Sequence, residues 1–112
     1  MKRSIMCGLA LASVTHLGAV FAQDGNTGRD LAATCFTCHG TNGNSVGDVP
    51  PSLAGRDRAE LFQAMKDFKS GERPATMMNQ QAKGYTDQQL QQITAYISTL
   101  KAAPARLPPK AN

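Results

Sequence analysis

The stretch Cys35-Phe36-Thr37-Cys38-His39 is the most informative part of this sequence. Two thiols separated by two residues can each bond to one vinyl group of the same porphyrin. A histidine that follows directly can then ligate the iron. The motif occurs once and therefore predicts one covalently attached haem c per chain. Cys35 and Cys38 would be its attachment points, and His39 its proximal ligand.

Two other kinds of site use cysteines at this spacing. A thioredoxin-like redox pair does not need the adjacent histidine, and it usually follows a strand in a βαβ pattern that this sequence lacks. A structural zinc site needs further Cys or His ligands. Beyond the first 22 residues, the chain holds no cysteine besides Cys35 and Cys38 and no histidine besides His39. Haem attachment is the interpretation that uses all three side chains.

The first 22 residues have the pattern of a secretory signal peptide. Lys2 and Arg3 form a short basic start, an apolar stretch follows over about residues 5–21, and Val20-Phe21-Ala22 suits a signal peptidase. We expect cleavage after Ala22 and export to the periplasm, because bacterial haem is attached to such motifs outside the cytoplasm. Polar residues interrupt the apolar stretch, so no stable membrane span is expected. A retained N-terminal anchor is the alternative.

Cleavage would leave one small domain of nearly neutral charge. The full chain has a formal net charge of +4, and removal of Lys2 and Arg3 lowers it to about +2 before two haem propionates are counted. The remaining lysines and arginines are scattered rather than clustered, which argues against nucleic-acid binding. A domain of about 90 residues buries little surface, and a covalently held porphyrin would stabilise it.

The rest of the chain predicts an all-α fold, because no segment alternates polar and apolar residues with period two. Apolar residues recur at i, i+3, i+4 and i+7 in the second predicted helix, and Thr86 with Gln89 forms a capping box for the third. The predicted helices cover residues 28–36, 57–69 and 86–101. The predicted domain spans residues 23–102, and residues 103–112 form a flexible, proline-rich tail. Loops are expected over residues 40–55 and 72–85, with room for one helical turn at 77–81.

The sixth ligand of the iron would be a methionine, since no second histidine survives cleavage. Met65 lies on the apolar face of a predicted helix, where a methionine usually fills the core. Met77 and Met78 lie in a polar loop, from which a thioether could reach the distal face and raise the reduction potential. Adjacent residues cannot both bind the iron. The residues themselves leave Met77 and Met78 as alternatives.

Several stretches beyond the haem motif match a known family. They are residues 40, 42–45, 51–55, 68–72 and 78–85. Over roughly residues 28–100 the sequence resembles the class I c-type cytochromes. Among these it is most similar to the haem subunit of flavocytochrome c sulfide dehydrogenase and to related soluble bacterial cytochromes c.

The resemblance implies a small single-domain fold of three to four helices and loops around one haem. It implies Met78 rather than Met77 as the axial ligand. It also implies that the backbone carbonyl of Pro51 accepts a hydrogen bond from His39, which would fix the imidazole ring. Gly28, Leu31 and Tyr96 match the positions where the first and last helices of the family cross.

An iron with both axial positions filled leaves one-electron transfer as its chemistry. The sequence thus predicts a periplasmic electron carrier that is not an enzyme by itself. Its partners would be redox proteins: a flavoprotein that oxidises sulfide or other reduced sulfur, a terminal oxidase or another cytochrome. Two alternatives are a haem enzyme or gas-binding protein with an open sixth position, and a membrane-anchored redox module.

Overall fold

The computed structural model describes residues 25–104, and this part of the chain is helical without strands. Its elements are α1 (Gly25–His39), a 3₁₀ turn (Thr41–Gly43), α2 (Arg58–Ser70), α3 (Met78–Lys83) and α4 (Asp87–Thr99). The all-α prediction is confirmed. None of the helices within residues 25–104 is long and apolar enough to cross a membrane. The predicted signal peptide and residues 105–112 of the predicted tail lie outside the described residues.

The boundaries of α2 and α4 follow signals that are visible in the sequence. Asp57 caps α2 by accepting a hydrogen bond from a backbone N–H at 2.9 Å, and Gly71 ends the helix with a left-handed φ of 86°. The capping box predicted for α4 is confirmed. The Thr86 hydroxyl accepts from the N–H of Gln89 at 3.1 Å, and the Gln89 side chain accepts from the N–H of Thr86 at 2.8 Å.

Helix α1 is longer than predicted. It begins at Gly25, among residues with poor helix propensity, and continues to His39, so that it contains the whole Cys-Phe-Thr-Cys-His motif. Packing against α4 explains the difference, because helices in proteins owe most of their stability to tertiary contacts. Helix α3 likewise extends beyond the single turn predicted at residues 77–81.

The core lies where α1, α2 and α4 meet. Its buried members are at most 8% exposed: Ala32, Leu61, Ile93 and Ile97. Partly buried side chains that pack on this cluster are Leu31, Cys35, Phe36, Leu53, Tyr85 and Tyr96. The first thiol of the motif is therefore anchored directly on the core, so the position of α1 sets the position of the motif.

The crossing of α1 and α4 requires a glycine at position 28. A Cβ atom at Gly28 would lie 2.6 Å from the carbonyl oxygen of Gln92 and 3.2 Å from the Cβ of Tyr96. The nearest obstacle is backbone of the opposite helix, which cannot rotate away as a side chain could. The helix crossing expected at Gly28 and Tyr96 is confirmed by this close approach.

Two lysines of α2 bind the start of α4. Nζ of Lys69 donates to the carbonyl oxygen of Tyr85 at 2.7 Å and to Oδ1 of Asp87 at 3.0 Å, and Lys66 donates to the other carboxylate oxygen of Asp87. Hydrogen bonds from Lys66 and from Lys69 lower the pKa of Asp87 below its usual value. These bonds stabilise the folded state at pH values above the usual carboxyl pKa. The stabilisation is lost as the pH falls through the lowered pKa of Asp87. Because the groups are accessible to solvent, the effect is small.

We expect Gly28→Ala to destabilise the haem-loaded protein. Overpacking of a close helix contact typically costs about 1–3 kcal/mol, and the higher helix propensity of alanine recovers about 1 kcal/mol or less of this. Because the obstacle at Gly28 is backbone, the upper part of that range, about 2–3 kcal/mol, applies. The net loss in free energy of unfolding should then be about 1–2 kcal/mol, measured by guanidinium denaturation.

Gly47→Ala is the matched control, since no atom lies within 4 Å of the Cβ that it would add. This variant should keep its unfolding free energy within about 0.5 kcal/mol of the parent. A Gly28→Ala protein as stable as Gly47→Ala would contradict the close helix crossing.

Candidate functional site

The last turn of α1 brings together the three chemical groups of the sequence motif. Cys35, Cys38 and His39 stand at i, i+3 and i+4, positions that share one face of a helix. Cys35 is half-buried, Cys38 is exposed, and His39 is only 7% exposed. The two thiols and the imidazole therefore form a single cluster at the C-terminal end of α1.

The imidazole of His39 contacts a backbone carbonyl. Its Nδ1 lies 2.7 Å from the carbonyl oxygen of Pro51, the pair implied by the family resemblance. A carbonyl oxygen can only accept a hydrogen bond, so Nδ1 carries the proton and donates the hydrogen bond to Pro51. The second nitrogen, Nε2, is then the one whose lone pair can bind a metal. The contact also restricts rotation of the ring.

Loop contacts hold Pro51 in front of the histidine. The carbonyl oxygen of Gly43 accepts a hydrogen bond from the N–H of Leu53 at 2.7 Å. The hydroxyl of Ser52 accepts another from the N–H of Ser45 at 2.9 Å. These two bonds fasten the segment after α1 to the segment around Pro51. The loop predicted from its glycines and prolines is thus an ordered part of the site.

The two adjacent methionines differ in exposure. Met77 precedes α3 as its N-cap residue and is 62% exposed, whereas Met78 is the first residue of α3 and is half-buried. Met65 is also half-buried and lies within α2. Helix α3 packs on α2, so Met78 belongs to a different part of the fold from the cysteines and histidine of α1.

The environment of Cys35 differs from that of a redox-active thiol. Burial raises the pKa of the Cys35 thiol above its usual value. Reactive cysteines of thioredoxin-like pairs instead have lowered pKa values, because nearby positive charge or a helix N-terminus stabilises the thiolate. Cys35 lies near a helix C-terminus, where the helix dipole has the opposite sign. These features disfavour the redox-pair alternative.

The zinc alternative requires additional metal ligands. Within residues 25–104 there is no group of three or more His, Cys, Asp or Glu side chains arranged to hold a metal ion by themselves.

Three sets of polar side-chain contacts were not predicted from the sequence. The hydroxyls of Thr34 and Tyr85 lie 2.7 Å apart and connect α1, next to Cys35, with the segment before α4. The side-chain amides of Asn44 and Asn79 each form hydrogen bonds with three backbone groups. No local signal identifies the bonds of Asn79, because its partners, the N–H of Ala75 and the carbonyl oxygens of Phe68 and Arg73, all lie before α3 and come close only in the folded chain.

The available groups fit a covalently attached haem. Two thiols on one helix face suit two thioether bonds to one porphyrin, and the adjacent imidazole has its Nε2 free for iron. A half-buried thioether from a separate element suits the opposite side of the iron. The chemistry of this set, two sulfurs for attachment with one nitrogen and one sulfur for ligation, matches no other common cofactor as well.

Comparison with known proteins identifies the same family. The sequence matches the cytochrome c family over residues 26–101. The cytochrome subunit of sulfide dehydrogenase from Chlorobaculum tepidum is 41% identical over 93 residues, which cover 83% of this chain and 84% of that protein. Cytochrome c4 from Pseudomonas aeruginosa is 35% identical, with 88% of this chain matching 47% of that protein.

A solved structure is also similar to this chain. Thiosulfate dehydrogenase (TsdBA) from Marichromatium purpuratum matches with a TM-score of 0.66 and 26% identity. The match covers 79% of this chain and 21% of that one, so this chain spans about a fifth of the thiosulfate dehydrogenase chain and about half of cytochrome c4. On this evidence the chain belongs to the cytochrome c family, with covalently bound haem c as its cofactor, and is an electron-transfer protein rather than an enzyme by itself.

Proposed function

We propose that this protein is a periplasmic one-electron carrier with haem bound through Cys35 and Cys38 and ligated by His39 and Met78. The observation that carries the proposal is the 2.7 Å contact between Nδ1 of His39 and the carbonyl oxygen of Pro51. When bound, the haem supplies an iron that exchanges one electron between its ferric and ferrous forms.

The protein's own residues hold that group in a fixed environment. The bond to Pro51 fixes the tautomer and orientation of His39 and makes Nε2 a better electron donor to a metal. Cys35 anchors the attachment on the core, while Cys38 lies at the surface. Burial of His39 keeps water away from the proximal ligand.

Exposure supports Met78 over Met77 as the second axial ligand. A ligand to a haem has to turn inward, and Met78 is half-buried whereas Met77 is 62% exposed. A thioether in the sixth position would exclude oxygen and peroxide, which separates an electron carrier from a haem enzyme or gas-binding protein. A sulfur ligand also favours ferrous iron and so raises the reduction potential.

The surface around Cys38 is the proposed route for the electron. Thr37 and Cys38 are exposed at the end of α1, and Phe36 is half-buried beside them. A small exposed surface such as that of Thr37 and Cys38 suits brief contact with a redox partner, because transient electron-transfer complexes use small interfaces. Thioether-linked haem at this position would bring its edge close to the surface.

We further propose that the donor is a flavoprotein that oxidises sulfide or another reduced sulfur compound. Two of the similar proteins are named for dehydrogenases of reduced sulfur compounds, one as the cytochrome subunit of sulfide dehydrogenase and the other as a thiosulfate dehydrogenase. A terminal oxidase or another cytochrome would be the acceptor. The proposal of periplasmic export rests on the signal-peptide pattern of residues 1–22. Cleavage of that segment would leave the cytochrome domain, residues 23–102, followed by the proline-rich tail.

The methionine assignment predicts opposite behaviour of two neighbouring variants. Met78→Ala should abolish the weak far-red sulfur-to-iron absorption band of the ferric protein and lower its reduction potential, because no thioether would bind the iron. Met77→Ala, the matched control, should keep both properties. Absorption spectra and a redox titration measure this. Loss of the band in Met77→Ala but not in Met78→Ala would show that Met77, rather than Met78, is the ligand.

The partner assignment is tested in the native host. A tagged, exported form of the protein should co-purify with a flavoprotein, and sulfide added to the complex should reduce its haem faster than sulfide added to the isolated cytochrome. Reduction by dithionite controls for a competent haem. If no flavoprotein is recovered, or if sulfide reduces the haem equally fast in the complex and in the isolated cytochrome, the sulfur link is wrong, whereas the electron-carrier assignment stands.

A further inference from the structure

Asn79 directly follows the proposed axial ligand, Met78, and its half-buried side chain bonds only to backbone. Its Oδ1 accepts a hydrogen bond from the N–H of Ala75 at 2.7 Å. Its Nδ2 donates to the carbonyl oxygen of Phe68 at 2.7 Å and to that of Arg73 at 3.0 Å. One amide thereby connects the end of α2, the loop after it and the first turn of α3.

These partners define the orientation of the amide. Carbonyl oxygens can accept only from the NH₂ group, and a backbone N–H can donate only to the oxygen. Both donors of Asn79 are therefore used, and the oxygen has one partner. The N-cap residue of α3, Met77, forms no side-chain capping bond. The Asn79 amide bonds instead to the segment before this helix, at Ala75 and Arg73, and to the end of α2 at Phe68.

The two halves of the loop between α2 and α3 are held by different residues. Arg73 holds the first half: its N–H donates to the carbonyl oxygen of Asp67 at 3.1 Å, and its guanidinium lies 4.7 Å from the ring centre of Phe68. Within the described residues, Asn79 is the only side chain that hydrogen-bonds to residues 74–76, whereas the carbonyl oxygen of Met77 accepts from the backbone N–H groups of Gln80 and Gln81. The segment that leads into Met78 therefore depends on this amide.

We propose that Asn79 is a positioning residue for the axial sulfur. This inference rests on the proposed ligation by Met78. A thioether is a soft ligand that binds ferric iron weakly, so its occupancy depends on how well the chain holds it in place. Without the amide, residues 74–76 regain conformational freedom, and the state with sulfur bound loses population to the state with sulfur detached.

Imidazole binding measures that population in the ferric haem protein. Added imidazole competes with Met78 for the sixth position, so its apparent affinity rises as the detached state becomes more populated. We expect Asn79→Ala to bind imidazole about tenfold more tightly than the parent, equivalent to about 1.4 kcal/mol. The far-red sulfur-to-iron band should weaken in parallel, and the reduction potential should fall.

Asn44→Ala is the matched control, because Asn44 has the same bonding pattern elsewhere. Its Oδ1 accepts from the N–H of Ala103 at 2.6 Å, and its Nδ2 donates to the carbonyl oxygens of Lys101 at 3.1 Å and Asn42 at 3.3 Å. Removal of this amide should lower the melting temperature as Asn79→Ala does. Its imidazole affinity should stay within about twofold of the parent, because Asn44 bonds to residues 42, 101 and 103 and not to the segment that leads into Met78.

Met78→Ala separates the two proposals. If it leaves imidazole affinity unchanged, the ligation by Met78 is wrong and the role of Asn79 is overturned with it. If Met78→Ala binds imidazole more tightly but Asn79→Ala behaves like Asn44→Ala, only the role of Asn79 is overturned. Should Asn79→Ala fail to retain haem, Asn79→Ser keeps one hydrogen-bonding group. It should then show about threefold tighter binding, and parent-like affinity would overturn the proposal.

Discussion

The hydrogen bond from His39 to the carbonyl of Pro51 is the contact on which the proximal half of the site depends. This bond forms only if the end of α1 places His39 correctly and the following loop brings Pro51 back to the imidazole. Packing of Cys35 and Phe36 on the core sets the first condition. The bond between Gly43 and Leu53 sets the second. A shift in either element would separate the imidazole from the carbonyl and release the ring.

Helix α4 connects the two halves of the site. It packs against α1, which carries the cysteines and histidine, and against α2, on which α3 and Met78 rest. On one side the contact is a close backbone approach at Gly28. On the other, lysines of α2 bind Tyr85 and Asp87 at the start of α4. The relative position of the proposed proximal and distal ligands is therefore set by a helix that supplies neither.

Local signals were enough to predict some of this structure. Asp57 and Gly71 mark the two ends of α2, and the Thr86 capping box marks the start of α4, because their bonds are formed within a few residues. The start of α1 was missed because its stability comes from α4, which the local sequence does not contain. The bonds of Asn79 to Phe68 and Arg73 were missed for a similar reason: they join segments whose proximity only the tertiary fold creates.

The central claim is that a porphyrin is covalently attached at the end of α1. Mass spectrometry of the proteolytic peptide that contains Cys35 and Cys38, taken from protein exported by a host able to mature cytochromes, tests it most directly. The account predicts that this peptide carries the mass of one haem and that neither thiol reacts with an alkylating reagent in the denatured protein. A colourless protein with both thiols alkylated would contradict it.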